Sequence, residues 1–495
     1  MRTARPPASL ALALLLGAAA PGGAQEAGTP SLDALGLLVA QQSRPSFTIL
    51  GAGARAAGMG GAFTALADDA SAASFNPAGL ALLLRPEATV VVGGRRRTED
   101  HAAFEQVEDG EPELYGASSA SDASVAANFA AFTLPFEVGG RNLSLQLSYH
   151  RTIEFDWQAT REFGETTGGV ETARLSQSID QTGSVDTFSL AAAYQWTERL
   201  SVGLTLSRWQ GGWSFATTNT ETEHATGESE TLRFAQDNRW TGWNWTLGGL
   251  LRYRYLNVGA ALRSEFSGDY SVDSSFAANF ETPYPASSTF EGKLEWPASW
   301  TVGLAFKPLQ TWFLTVDYAQ FDWDDFVIVG LSGGPVNFLD LQPVESSRTR
   351  ATEDWRFGTE YTFFAGRDLW ALRGGHWRAP RAQRLSPSDA GDTELGWTLG
   401  AGWRRGPLAL DLAWQRSSWS AGTLEFVDPE EIVNGGGQPQ AEGRVDVVEQ
   451  RFLFSVLYQF ESSAALRRLF HFLFVGPVEP KPAAPATSGA AGGPG

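Results

Sequence analysis

From about residue 87 onward, apolar and polar side chains alternate in segments of ten to eighteen residues, the spacing that sends successive side chains to opposite faces of a sheet. In NLSLQLSY, Leu143, Leu145, Leu147 and Tyr149 share one face, while Ser144, Gln146 and Ser148 share the other. TFSLAAAYQW sets Phe188, Leu190, Ala192, Tyr194 and Trp196 against Ser189 and Gln195. LALDLAWQ likewise sets Leu408, Leu410, Leu412 and Trp414 against Asp411 and Gln415. Strands in soluble sandwiches run to about five or six residues, whereas tilted membrane strands need roughly nine to eleven. Length therefore predicts strands that cross a bilayer.

The pattern predicts about fourteen such strands, near 87–94, 127–138, 142–156, 183–196, 199–215, 238–253, 256–272, 292–307, 312–327, 347–364, 368–381, 394–405, 408–421 and 443–460. Their connections alternate. Short turns (EVGGRN, TER, YRY, KPLQ, AGR and RGP) interleave with long polar loops at 95–126, 157–182, 216–237, 273–291, 328–346 and 422–442. An up-and-down transmembrane barrel of even strand number has this grammar, with periplasmic turns and external loops. Its first and last strands must pair to remove both edges. The fold class expected is all-β: an antiparallel transmembrane barrel spanning 87–460.

Composition agrees with that picture. The chain holds 18 Trp and 31 Phe, yet its mean hydropathy is below zero, as suits a wall that faces lipid outside and water inside. Trp196, Trp209, Trp213, Trp240, Trp243, Trp300, Trp312, Trp323, Trp414 and Trp419 fall near segment ends and are expected in aromatic girdles at the headgroup level. With no cysteine, disulfides and thiolate metal sites are excluded. A net charge of −19 argues against nucleic acid as a partner. The acidic runs at 99–113 and 221–230 read as solvated loops.

At the N-terminus, Arg2 and Arg5 precede SLALALLLGAAA, too short to span a bilayer and ending in small residues, so residues 1–24 read as a secretory signal cleaved after Ala20 or Ala24. Residues 25–86 are rich in Ala and Gly and too many for a linker; they are expected to plug the barrel. Within them Gly51, Gly53 and Ala56 match the G-x-G-x-x-A of a dinucleotide-binding turn. The secretory signal and the strands that follow oppose that reading, because no βαβ crossover comes next. Residues 461–495 read as a short amphipathic helix with a disordered Pro/Ala/Gly tail.

The stretch GARAAGMGGAFTALADDASAASFNPAGLALL resembles the N-terminal signature of the FadL/OmpP1/TodX outer-membrane transporters, with Asn76, Pro77 and Ala78 matching the family's Asn-Pro-Ala motif. PorV-like proteins of certain secretion systems share this opening. However, GWNWTLGGLLRYRYLNVGAALRSEFSGDY and LEWPASWTVGLAFKPLQTWFLTVDYAQFDWDDF resemble FadL-type barrel segments in order, as does DWRFGTEYTFFAGRDLWALRGGHWRAP. The resemblance implies a monomeric fourteen-stranded barrel in the bacterial outer membrane. An N-terminal hatch would close it, and uptake of long-chain fatty acids or other hydrophobic small molecules would be passive and ligand-gated. A PorV-like scaffold and a general porin are the alternatives. The hatch would include Asn76, Pro77, Ala78, Gly79, Gly58, Gly60 and Gly61. Outer-membrane lipid, lipopolysaccharide and the barrel assembly machinery would be its partners.

A fatty-acid carboxylate entering an apolar pocket needs a strong donor, and Arg offers a bidentate one. Arg151, Arg252, Arg254, Arg263, Arg356 and Arg373 are the candidates by position. His101, His150, His224, His376 and His471 are scattered without catalytic or metal-binding spacing, so neither enzyme activity nor a cofactor is expected.

Overall fold

The computed structural model describes residues 48–105, 113–167, 170–278, 286–331, 333–340, 342–382, 393–425 and 441–460. The expected signal at 1–24 and the segment 461–495 lie outside them. A two-residue strand, β1 (Thr48–Ile49), comes first, followed by two short helices, α1 (Ala54–Gly58) and α2 (Ala72–Phe75), and a 3-10 turn at Pro77–Leu82.

The barrel strands follow: β2 (Glu87–Glu105), β3 (Glu113–Val138), β4 (Arg141–Glu154), β5 (Trp157–Thr167), β6 (Val170–Gln195), β7 (Leu200–Glu223) and β8 (Ser229–Arg252). Next are β9 (Leu256–Arg263), β10 (Phe266–Ala278), β11 (Ala286–Trp296), β12 (Ser299–Leu309), β13 (Trp312–Phe321), β14 (Val327–Val329) and β15 (Val336–Asn337). The last are β16 (Thr352–Ala365), β17 (Asp368–Pro380), β18 (Thr393–Arg405), β19 (Leu408–Glu425) and β20 (Ala441–Gln459). Neighbours pair antiparallel, and β5, β10, β11 and β14 continue the staves of β4, β9, β12 and β13. Fourteen staves result, and β2 pairs with β20 from Glu87↔Gln459 to His101↔Val445, closing the barrel.

The short turns fall where the sequence places them. At β3–β4, Gly139 and Gly140 both adopt positive φ (60° and 73°), the geometry whose twist matches a tight hairpin. The long connections differ from expectation. Much of 95–126, 157–182 and 216–237 is strand, not loop, because β2, β3 and β5–β8 extend far past the apolar band. Above the membrane both faces of a strand are wet, so apolar alternation vanishes while backbone pairing continues.

The lipid face is as read: Leu145, Leu147, Phe188 and Leu190 are exposed, while Ser144 and Gln146 are buried inside. The girdle requires a correction. Trp196, Trp243, Trp300 and Trp312 do face outward, but Trp209, Trp213, Trp240, Trp323 and Trp419 are buried in the lumen. A girdle and a lumen cluster share the same height on a strand; one residue of register separates them.

Candidate functional site

Residues 50–83 lie inside the lower barrel, near the short turns. Close approach is allowed by small wall residues. A methyl group at Gly203 would lie 2.4 Å from the Pro77 carbonyl carbon, one at Gly248 2.2 Å from Asn76 Oδ1, and one at Gly259 2.3 Å from the Thr64 oxygen. Gly358 and Gly375 meet the backbone of Met59 and Gly60 in the same way. Gly203, Gly248 and Gly259 sit on three successive staves, β7 to β9, and Gly358 lies opposite Gly375 on β16 and β17, so they form a belt.

Around the belt the wall satisfies the inner segment's backbone. Asn76, fully buried, donates from Nδ2 to the carbonyls of Thr64 and Gly249, both at 2.9 Å, and its Oδ1 accepts from the Ala78 N–H. This capping starts the Pro77–Leu82 turn, where Pro77 at the first position loses no needed donor. Asp317 accepts from the N–H groups of Phe63 and Thr64, and Asn142 donates to the carbonyls of Ala81 and Leu83. Thr398 bonds Gly58 and Gly60. A buried ion network adds a lateral clasp. Arg55 grips Glu360 through two bonds of 2.8 Å, and Arg373 joins Glu360 at 2.6 Å and Asp411 at 2.7 Å.

Higher in the lumen two surfaces face each other. On one, Trp209, Trp240, Phe266, Trp296, Trp323 and Phe326 pack ring on ring, with Trp240 and Phe266 stacked at 5.4 Å. On the other, Arg95, Arg97, Glu99, Glu154 and Glu449 are buried and, together with the half-buried Arg451, paired. Between these surfaces and the inner segment lies a cavity of about 460 Å³, lined among others by Ser74, Asn128, His150, Thr187, Asn244 and Arg263.

The wall beside this cavity is interrupted. Pairing of β3 with β4 ends at Phe129↔His150, and β3 meets β5 only at Glu113–Tyr115. Stave 3 itself breaks at Phe155–Asp156, where Phe155 stacks on Trp213 at 4.2 Å. Neighbouring Gly183 (φ 138°) and Gly211 (φ 152°) take backbone conformations that side chains resist. In the place that β3 vacates, β1 pairs with the end of β4, Thr48↔Glu154 and Ile49↔Ile153. Ala126, Ala127 and Asn128 of β3 and Arg151, Thr152 and Glu154 of β4 line the cavity, which thus reaches the gap.

The six candidate arginines part ways. Arg151, Arg263 and Arg356 line the cavity, Arg373 is held in the ion network, and Arg252 and Arg254 sit at the β8–β9 turn. Of the cavity three, Arg356 pairs with Asp354 at 3.1 Å and Arg151 approaches Asp156 at 3.9 Å. Arg263 meets only the Ser74 carbonyl, at 3.3 Å, and no carboxylate among the described residues. Sequence reasoning missed Asn244 and the clasp residues Arg55 and Glu360. The only signal for Asn244 and Glu360 was an inward position of a polar residue on a strand, and for Arg55 a lone charge inside an Ala/Gly-rich helix.

The sequence profile of outer membrane protein transport proteins (OMPP1/FadL/TodX) matches residues 37–443. The chain belongs to this family. It is an outer-membrane β-barrel of a family that transports hydrophobic compounds. Solved structures of the same fold include a Pseudomonas aeruginosa FadL homologue (TM-score 0.59, 15% identity, covering 84% of this chain and 100% of that one). The toluene transporter TodX of P. putida is similar too (TM-score 0.54, 15% identity, 84% and 100%). So is the monoaromatic hydrocarbon channel CymD (TM-score 0.51, 16% identity, 84% and 100%). At such identities these FadL-like neighbours speak to fold alone. No curated protein matches the chain.

Proposed function

We propose that this FadL-family barrel is a passive channel for hydrophobic molecules that carry an acid group, long-chain fatty acids being the type case, and that it has no enzymatic role. The observation that carries this reading is Arg263. It is a cation lining the cavity with no carboxylate partner among the described residues, and its one bond reaches the Ser74 carbonyl of the inner segment. A neutral hydrocarbon leaves such a charge unmatched, whereas a carboxylate supplies a charge-assisted partner. Asn244 Nδ2 and His150 Nε2, both buried with no hydrogen bond among the described residues, offer further polar contacts in the same cavity.

On this reading the apolar chain of the ligand passes the break in stave 3, and its head group settles at Arg263. A bond from ligand to Arg263 competes with the Ser74 contact, which links binding to the position of the inner segment. The TodX and CymD neighbours, described as toluene and monoaromatic hydrocarbon channels, favour a neutral substrate as the second reading. Binding of oleate, its methyl ester and toluene to the purified protein separates the two. The acid is expected to bind at least about tenfold tighter than the ester, and Arg263→Ala to erase that difference. Equal binding of acid and ester, unchanged by the substitution, would sink the acid reading. Steady conductance without ligand would favour a general porin.

A further inference from the structure

On the outer surface of staves 11 to 14 and 1, three arginines stand without a carboxylate partner among the described residues. Arg378 on β17, Arg416 on β19 and Arg96 on β2 are all exposed. Each shares its face with side chains of the lipid band: Leu372 with Arg378, Leu412 with Arg416, Val90 and Val92 with Arg96. Just beyond them the same faces turn polar, with Ser418 on β19 and Thr98 on β2. The three therefore mark the upper boundary of the apolar band, the headgroup level of the outer leaflet.

Register brings them together. Arg416 lies opposite Trp397 on one side and Gln450 on the other, and Gln450 lies opposite Arg96. Arg416 and Arg96 are thus two strands apart, about 10 Å at the backbone. Arg378 is two strands from Arg416 in the other direction and pairs with Trp355. Between them His376 packs against the exposed Trp397, ring centroids 4.2 Å apart and planes tilted by 36°, and is held through Nδ1 at the Gly396 carbonyl, 2.8 Å away. An outward-facing aromatic pair is thereby set among three cations. The nearest outward carboxylates are Asp100 and Asp446, which face each other four residues further out, and Glu353 on β16. Among the described residues, Arg96 hydrogen-bonds the Ser121 hydroxyl, at 3.4 Å, and no carboxylate.

Like charges gathered at the edge of a low-dielectric slab repel unless an anion joins them. We infer that these residues bind the phosphorylated headgroup of an outer-leaflet glycolipid, lipid A of lipopolysaccharide. Its phosphates bridge Arg96, Arg378 and Arg416, and its sugar lies against Trp397. Guanidinium forks match phosphate oxygens bidentately, and the tryptophan supplies a rigid amphipathic surface at that depth. The site does not depend on which molecule the lumen carries.

Native mass spectrometry of the full-length protein in detergent, titrated with bis-phosphorylated lipid A, tests this. The wild type is expected to retain one lipid A, and the triple variant Arg96→Gln, Arg378→Gln, Arg416→Gln to bind at least about tenfold more weakly. Arg208→Gln, a substitution on the far wall, is expected to bind as the wild type does. Heat-modifiable gel migration reports folding; if the triple variant fails to fold, the three single variants are used, each with about threefold loss. Undiminished binding in the folded triple variant, or in all three singles, overturns the assignment. So does equal competition by phosphatidylethanolamine, and so does displacement of lipid A by millimolar inorganic phosphate, which would mark a free-anion site.

Discussion

The upper and lower halves of the lumen are filled by different physics. Above, the contents are rings: Trp209 touches Trp240, Phe266 and Trp296, and Trp296 in turn touches Trp323 and Phe326. Below, the contents are backbone, held by hydrogen bonds with the side chains of Asn76, Asn142, Asp317 and Thr398 and by the Arg55–Glu360–Arg373 clasp. Apolar packing is dense and non-directional, so it resists local change. Individual hydrogen bonds contribute about 1 kcal/mol each and can be exchanged for others. The difference suggests a rigid upper scaffold around a lower segment that moves by trading partners.

Substitutions can break that contrast. The largest loss of stability is expected from Trp209→Ala, about 3–5 kcal/mol in urea unfolding from liposomes, with ligand-free conductance unchanged. Glu360→Gln leaves Arg55 and Arg373 buried without their shared carboxylate and is expected to cost about 3 kcal/mol. It should also do what Trp209→Ala does not: raise ligand-free conductance in a planar bilayer, because the clasp ties the moving segment to the wall. Asn76→Ala strips donors from two carbonyls and an acceptor from the Ala78 N–H, for about 1–3 kcal/mol, again with a leak. Ser124→Ala removes the 2.6 Å bond to Glu154 across the wall gap. Its effect on stability is expected to stay within about 1 kcal/mol, while ligand uptake by proteoliposomes rises. If Trp209→Ala leaks and Glu360→Gln does not, the division between scaffold and moving part is wrong.

Much of the wall was legible beforehand. Period-two segments located the staves, the short connections between them located the turns, and the closure of β2 on β20 followed from the need to bury two edges. The extent of the strands was not legible, since Thr217 and Ser229 carry no amphipathic signal where both faces are wet. Nor were the faces of the tryptophans. Trp240 and Trp243 lie three residues apart and look alike in sequence, yet one is buried among rings and the other faces lipid. The candidate arginines show the same limit: Arg263 and Arg254 were equal by position, and only the cavity separated them.

The glycine run from Gly51 to Gly61 illustrates both sides. Sequence alone determined that this stretch needs backbone freedom and close approach, because glycine and alanine leave no side chain to fill space. What it approaches was settled only by the closed barrel, which sets Gly358 and Gly375 against Met59 and Gly60 across some three hundred residues of chain. Alternation is a local property, carried by neighbouring residues and readable from them. Register, the break between β4 and β5 and the meeting of Arg55 with Glu360 depend on pairing between distant segments. Their energies arise only once the wall has closed.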